Sequence, residues 1–278
     1  MSETGRLAQS SFDGEPIEVF SSGSGPGVVL VQGGGTDAGT YRRIAERLSP
    51  SFTVHRYNRR GRGRSAPQTD AYCLATEVAD LGSVMADTGS ALVVGHSVGG
   101  FLALAAAREL PIERLALFDP TVNVDGSFPS DYLPEFERLV AAGDTVDAML
   151  VVSKGLRNPG STWPEPIQRA AVRALLLTPP GKTMARLFHT VPAEARLAFV
   201  ADGPATQWST VTAETRFFIG ARSPDYYAPM ARALVAAMSH ADIEMLPRLG
   251  HDALARATRH TVTSLVAFLS QAESLATP

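Results

Sequence analysis

The sequence predicts an α/β protein: a mostly parallel sheet wound with helices on both faces, interrupted by an inserted helical cap. Three observations lead there. Short apolar runs at 28–31, 92–94 and 115–118 recur between segments of helical spacing, as a parallel sheet with crossover helices requires. The second run leads into Gly95-His96-Ser97-Val98-Gly99-Gly100, a serine flanked by glycines where a strand pattern gives way to a helical one. From 121 to 212 the alternation stops, and prolines from Pro129 to Pro204 break the chain into short helical patterns without a clear strand.

Taken in order, residues 7–10 and 17–20 flank the turn pair Asp13-Gly14 and are expected to form an antiparallel edge hairpin. Strand 28–31 is apolar throughout, and Gln32-Gly33-Gly34-Gly35 follows it directly. Helical spacing at 41–48, a strand at 52–57 and a helix at 76–86 with Val78, Leu81 and Met85 inward come next. The strand before Gly95, a helix near 100–110 and strand 115–118 continue the series through right-handed crossovers. After the insertion, strand 216–219, helix 226–238, strand 243–246 and one final helix with Leu254, Val262, Leu265 and Leu269 inward complete the sheet. The expected division is a core of 1–120 and 213–278 with a cap of 121–212.

The glycines around Ser97 carry the first chemical inference. A side chain at Gly95 or Gly99 would collide with the neighbouring strand or helix, which allows a sharp turn that holds Ser97 in a strained conformation above the sheet. The N–H groups opening the next helix, at its positive dipole end, then face the place where an oxyanion would form. Ser97 is the expected nucleophile.

Composition narrows the rest. With 278 residues, 45% of them hydrophobic, the chain can bury one large core, or one core with a smaller appended unit. A formal net charge of −3 gives no reason to expect nucleic acid as a partner. The single cysteine, Cys73, excludes an internal disulfide framework and a thiolate metal cluster. Met1 to Arg6 lacks the apolar core of a signal peptide and no window is apolar enough to span a membrane, so a cytoplasmic location with no membrane partner is expected. No metal or organic cofactor is implied, and the sequence fixes no oligomeric state.

Four landmarks in order resemble the α/β-hydrolase family: Gln32-Gly33-Gly34-Gly35, then 57–65 (Tyr-Asn-Arg-Arg-Gly-Arg-Gly-Arg-Ser), then Gly95-His96-Ser97-Val98-Gly99, then 246–251 (Leu-Pro-Arg-Leu-Gly-His). The likeness covers nearly all of the chain except the cap. It implies oxyanion donors at the amides of Val98 and Gly34. Asn58 stands where the family has a structural aspartate, and Gln32 where it usually has histidine, a departure that bears on substrate class. The basic stretch Arg59 to Arg64 matches a family loop and is expected as a solvated loop held by arginine hydrogen bonds, not as an RNA-binding tract.

Acyl transfer by a neutral serine needs a base and a carboxylate to orient it. Of six histidines, His251 lies just beyond a late strand at the sheet edge expected to hold Ser97. His55 falls in a strand, His240 before one, His260 in the last helix, His189 in the cap as a surface or cavity residue, and His96 at the variable place of the Ser97 motif. The carboxylate has two candidates. The family usually places it after the strand ending at Ile219, where this chain has Ser223 with Asp225 two residues on; some members use the end of the preceding strand, where Asp119 stands. Asp119 is the favoured reading, and Asp252 is expected as a helix cap.

The expected activity is a serine hydrolase for an ester, thioester or lactone of a small, largely apolar molecule, with Phe128, Tyr132, Trp163, Phe188, Phe199 and Trp208 available to line a cavity. The same scaffold also permits a lyase, a cyclase, a cofactor-free perhydrolase, or a silent ligand-binding receptor.

Overall fold

A computed structural model describes residues 5–271; residues 1–4 of the N-terminus read above, and 272–278, lie outside the described residues. The sheet has eight strands: β1 (Arg6–Gln9), β2 (Pro16–Gly23), β3 (Gly27–Val31), β4 (Thr53–Tyr57), β5 (Leu92–His96), β6 (Arg114–Phe118), β7 (Glu214–Gly220) and β8 (Ala241–Leu246), in the spatial order β1-β2-β4-β3-β5-β6-β7-β8. β1 pairs with β2 and β2 with β4 antiparallel; every later pairing is parallel. The Asp13-Gly14 hairpin therefore forms the antiparallel edge.

Strand alternation explains why the central runs are apolar without a break. Val29, Val31, Val93, Leu115, Leu117, Phe217 and Ile219 pack into one core with α2 (Leu74–Thr88), α3 (Val98–Ala106) and α9 (Tyr227–Ala237). The intervening Val28, Leu30, Val94, Ala116, Phe118 and Phe218 face the opposite core with α1 (Arg42–Leu48) and α11 (Arg259–Leu269). Both faces are covered, so neither can be polar.

Between β6 and β7 the chain forms α4 (Leu133–Ala141), α5 (Thr145–Gly155), α6 (Glu165–Leu177), α7 (Pro179–Leu187) and α8 (Val191–Val200). Several of the prolines sit in the first turn of these helices, where the missing N–H costs nothing. Phe136, Leu139, Ala148, Met149 and Phe188 form a separate apolar cluster there.

Three expectations need correction. The final helix is two, α10 (Ala253–Arg256) and α11, because Ala257 turns left-handed at φ 51° and Thr258 caps α11 by accepting from Thr261 N–H. Asp252 stands at the start of α10 without capping it, its carboxylate lying 3.4 Å from Arg256 instead. The basic loop is buried, not solvated: Arg59, Arg60 and Arg62 are 1%, 5% and 1% exposed. Carboxylates explain this. Arg59 pairs with Glu77 and Glu194, Arg60 with Asp13 and Asp80, and Arg62 with Glu194, while Arg64 stays half-exposed against Glu18.

The turn between β5 and α3 depends on close approach. A Cβ at Gly99 would stand 2.4 Å from the carbonyl oxygens of both Val31 and Gln32, and one at Gly95 2.7 Å from Gly100 Cα. Gly99→Ala is therefore expected to lower unfolding stability in urea by about 3 kcal/mol, at the upper end for overpacking. Gly126→Ala, with φ 71° but open space around it, should lose only the left-handed-conformation penalty of about 1 kcal/mol.

Candidate active site

Ser97 follows β5 and precedes α3 at φ 55°, ψ −127°, a conformation rare for a residue with a side chain. Its N–H donates to the Phe118 carbonyl at 3.1 Å, and its carbonyl accepts from Thr121 N–H at 3.0 Å. The serine turn is thus tied directly to the segment that follows β6. Asp119 lies on that segment, fully buried and also left-handed at φ 39°.

The Asp119 carboxylate takes three contacts. Oδ1 accepts from Gly220 N–H at 3.0 Å, and Oδ2 accepts from Ser223 Oγ at 2.6 Å and lies 3.3 Å from His251 Nδ1. Ser223 is the residue standing where a carboxylate was expected after β7; it donates to the carboxylate that β6 supplies. Asp225 points elsewhere, exposed and paired with Arg157 at 3.1 Å. Because an ionised Asp119 only accepts, the His251 proton belongs on Nδ1, which leaves Nε2 as the basic nitrogen.

Ser97, His251, Gly34 and Val98 line one cavity of about 440 Å³. Among the described residues the Ser97 hydroxyl pairs with Thr121 Oγ1 at 3.4 Å and not with His251. A contact of that length leaves the hydroxyl free to turn, and such hydrogen bonds commonly tighten only around substrate. The cavity wall is mostly apolar and includes Phe128, Tyr132, Trp163, Phe188 and Phe199 from the expected aromatic set. Trp208 is the exception, buried against Phe101 and Arg108 in the core. Among the described residues no cluster of three or more His, Cys, Asp or Glu could hold a metal ion, and no helix is long and apolar enough to cross a membrane.

The remaining histidines fall away from the cavity. His55 bonds Ser21, and His189 is exposed with Nδ1 on the Arg186 carbonyl. His96 is different, and its place in the motif gave no sign of it. The His251 carbonyl can only accept, so His96 donates to it from Nε2 at 2.8 Å; Nδ1 then accepts from the Tyr41 hydroxyl at 2.6 Å, and that hydroxyl accepts from Gly33 N–H at 3.0 Å. A directed chain therefore runs from the loop after β3 to the backbone of His251. Burial, helped by the neighbouring His251 charge, pulls His96 down to about 3. On its other face His251 stacks on Tyr227, with centroids 5.4 Å apart. Asn58, the substitute for aspartate, works through both ends of its amide: it accepts from Ala38 N–H and donates to Glu18.

A serine on a strained strand-to-helix turn, a glycine loop after β3 and a histidine after β8 on this sheet order define an α/β-hydrolase. The alpha/beta hydrolase family model matches residues 28–260, and the chain belongs to that family. An alpha/beta hydrolase from Sphaerobacter thermophilus superposes with a TM-score of 0.80 at 32% identity, covering 95% of this chain and all of that one. Pimeloyl-[acyl-carrier protein] methyl ester esterase of Stenotrophomonas maltophilia is 35% identical over 106 residues, 38% of this chain and 40% of that protein. Lipase LipV of Mycobacterium tuberculosis is 38% identical over 109 residues, 37% of this chain and 41% of that protein. The chain thus matches about two fifths of the length of these two relatives.

The His96 ring gives a pH prediction. Unfolded, the ring takes a proton near 6.5; folded, only near 3, so in that interval the unfolded state holds the extra proton and stability falls as pH is lowered. The contribution is complete above pH 6.5 and declines below it by about 1.4 kcal/mol per pH unit. Urea unfolding of the wild type and His96→Gln should show the stability gap narrowing at that rate on acidification.

Proposed function

We propose that the protein is a serine hydrolase that cleaves an ester, thioester or lactone of a small, largely apolar substrate through an acyl-Ser97 intermediate. The observation that carries this reading is the buried Asp119 carboxylate 3.3 Å from His251 Nδ1, with both Ser97 and His251 on the wall of one apolar cavity. The curated relatives named above, an esterase and a lipase, support it.

Each step follows from the residues in place. His251 Nε2 takes the proton from Ser97 Oγ as the oxygen attacks the carbonyl. Asp119 holds the ring with Nδ1–H toward itself and stabilises the imidazolium that results. Val98 and Gly34 N–H groups receive the oxyanion, the former strengthened by the first turn of α3. His251 then protonates the leaving group, and water repeats the sequence to release the acid. A cavity of about 440 Å³ lies within the usual range for small-ligand sites, roughly 300–1,000 Å³. Residues 121–212 serve as the cap that supplies most of its walls over a core of 1–120 and 213–278. The Asp119 carboxylate against the His251 ring supports the hydrolase reading over a lyase or cyclase on the same scaffold.

Ser97→Ala should lower kcat on the best ester by about 10⁴-fold or more and abolish labelling by a fluorophosphonate, with the fold intact by circular dichroism. Asp119→Asn should lower kcat by about 10³-fold, whereas Asp225→Asn should stay within about twofold of wild type. Turnover retained in Ser97→Ala would remove Ser97 as the nucleophile.

A further inference from the structure

Glu194 is the buried carboxylate that the reaction above leaves unused. It lies on α8, is 0% exposed, and its two oxygens have different surroundings. Oε1 lies 2.6 Å from Arg62 and 3.2 Å from Arg59, and accepts from Gln68 Nε2 at 3.2 Å. Oε2 has no hydrogen-bond partner among the described residues. It stands beside the loop after β3: a methyl group built on Gly34 would lie 3.4 Å from Oε2, and 3.7 Å from both Val98 and Val191. Glu194, Gly34, Val98 and Ser97 all line the same cavity.

An ion-paired carboxylate has lone pairs and no proton to offer, so what completes Oε2 is a hydrogen-bond donor. Charge narrows the class. Arg59 and Arg62 face Glu77 and Glu194, so this group is balanced, and a cationic ligand would bring an uncompensated charge into an apolar cavity. A neutral hydroxyl or amide N–H brings none. Two ion pairs and one hydrogen bond on Oε1 also hold the carboxylate before a ligand arrives.

We propose that Glu194 Oε2 is a specificity acceptor: the preferred substrate is an ester bearing a hydroxyl or amide N–H a few bonds from the scissile carbonyl, seated on Oε2 while the carbonyl lies between Val98 and Gly34. This inference rests on the hydrolase reading above and adds the polar feature that an apolar cavity alone does not specify.

Two pairs of esters test it. Methyl 3-hydroxybutanoate and methyl 3-methoxybutanoate differ by a donor on the acyl side; 2-hydroxyethyl butanoate and 2-methoxyethyl butanoate differ by one on the alcohol side. The wild type should favour the hydroxyl member of at least one pair by about tenfold or more in kcat/KM. In Glu194→Gln the arginines offer donors only, so the new amide must turn its oxygen to them and its NH₂ toward Gly34. The hydroxyl preference should then fall by about tenfold or more, and the methoxy member should gain; the side chain keeps its size, so bulk cannot account for the change. Equal slowing of both members, with the ratio unchanged, would overturn the proposal and leave Glu194 as an anchor of α8 on the arginine loop. Should Glu194→Gln fail to fold, Glu194→Asp, which withdraws the carboxylate by one methylene, must reduce the hydroxyl preference on its own. The same ratios are to be read as dissociation constants by calorimetry on Ser97→Ala with and without the Glu194 change. If the wild type turns over none of the four esters and resists fluorophosphonate, the hydrolase reading fails, and the binding ratios still decide the role of Glu194.

Discussion

Everything at this site hangs on one backbone constraint, the contact of α3 with the ends of β3 and β5. Gly95 and Gly99 let the helix start against the carbonyls of Val31 and Gln32, and that approach forces Ser97 into its left-handed conformation. Two hydrogen bonds then bind the strained residue to the last residue of β6 and to the segment after it. The hydroxyl, the helix N-terminus and the carboxylate segment are positioned by one turn, so their relative placement does not depend on flexible loops. A strained residue of this kind persists only where its surroundings over-determine it, and here two strands and a helix do so.

The carboxylate beside His251 comes from the end of β6 and not from beyond β7. β6 and β7 are adjacent and parallel, with Phe118 paired to Phe218, so their ends open side by side on one edge of the sheet. Asp119 from the first and Ser223 from beyond the second meet in a 2.6 Å hydrogen bond. The hydroxyl at 223 fixes the carboxylate oxygen that lies against the His251 ring. The interaction of His251 with charge is therefore local in space and indifferent to which strand brings the charge.

The fold was legible because both faces of the sheet are covered: a strand without a wet side leaves an unbroken apolar run, and 28–31, 92–94 and 115–118 are such runs. The positions of Ser97, Asp119 and His251 at strand ends were legible because each follows an apolar strand pattern. What escaped was whatever depends on contacts distant in sequence. His96 looked like a free position, yet its ring bridges Tyr41 and the His251 backbone. The arginines of 59–62 looked solvated because their carboxylates come from Asp13, α2 and α8. The break between α10 and α11 rests on the left-handed turn at Ala257 and on Thr258, neither of which interrupts the apolar spacing.

The buried arginine loop carries a consequence for how such a chain can change over generations. Arg59 and Arg62 each hold a carbonyl at one end of the glycine loop, those of Gln32 and Thr36, while sharing Glu194 with the helices above. Loss of any one member strands an opposite charge away from water, a far larger penalty than loss of the whole set together. Viable drift in this region must therefore proceed by concerted exchange of acid and base partners, and a scaffold tolerant elsewhere is locked here into inheriting its charges as a group.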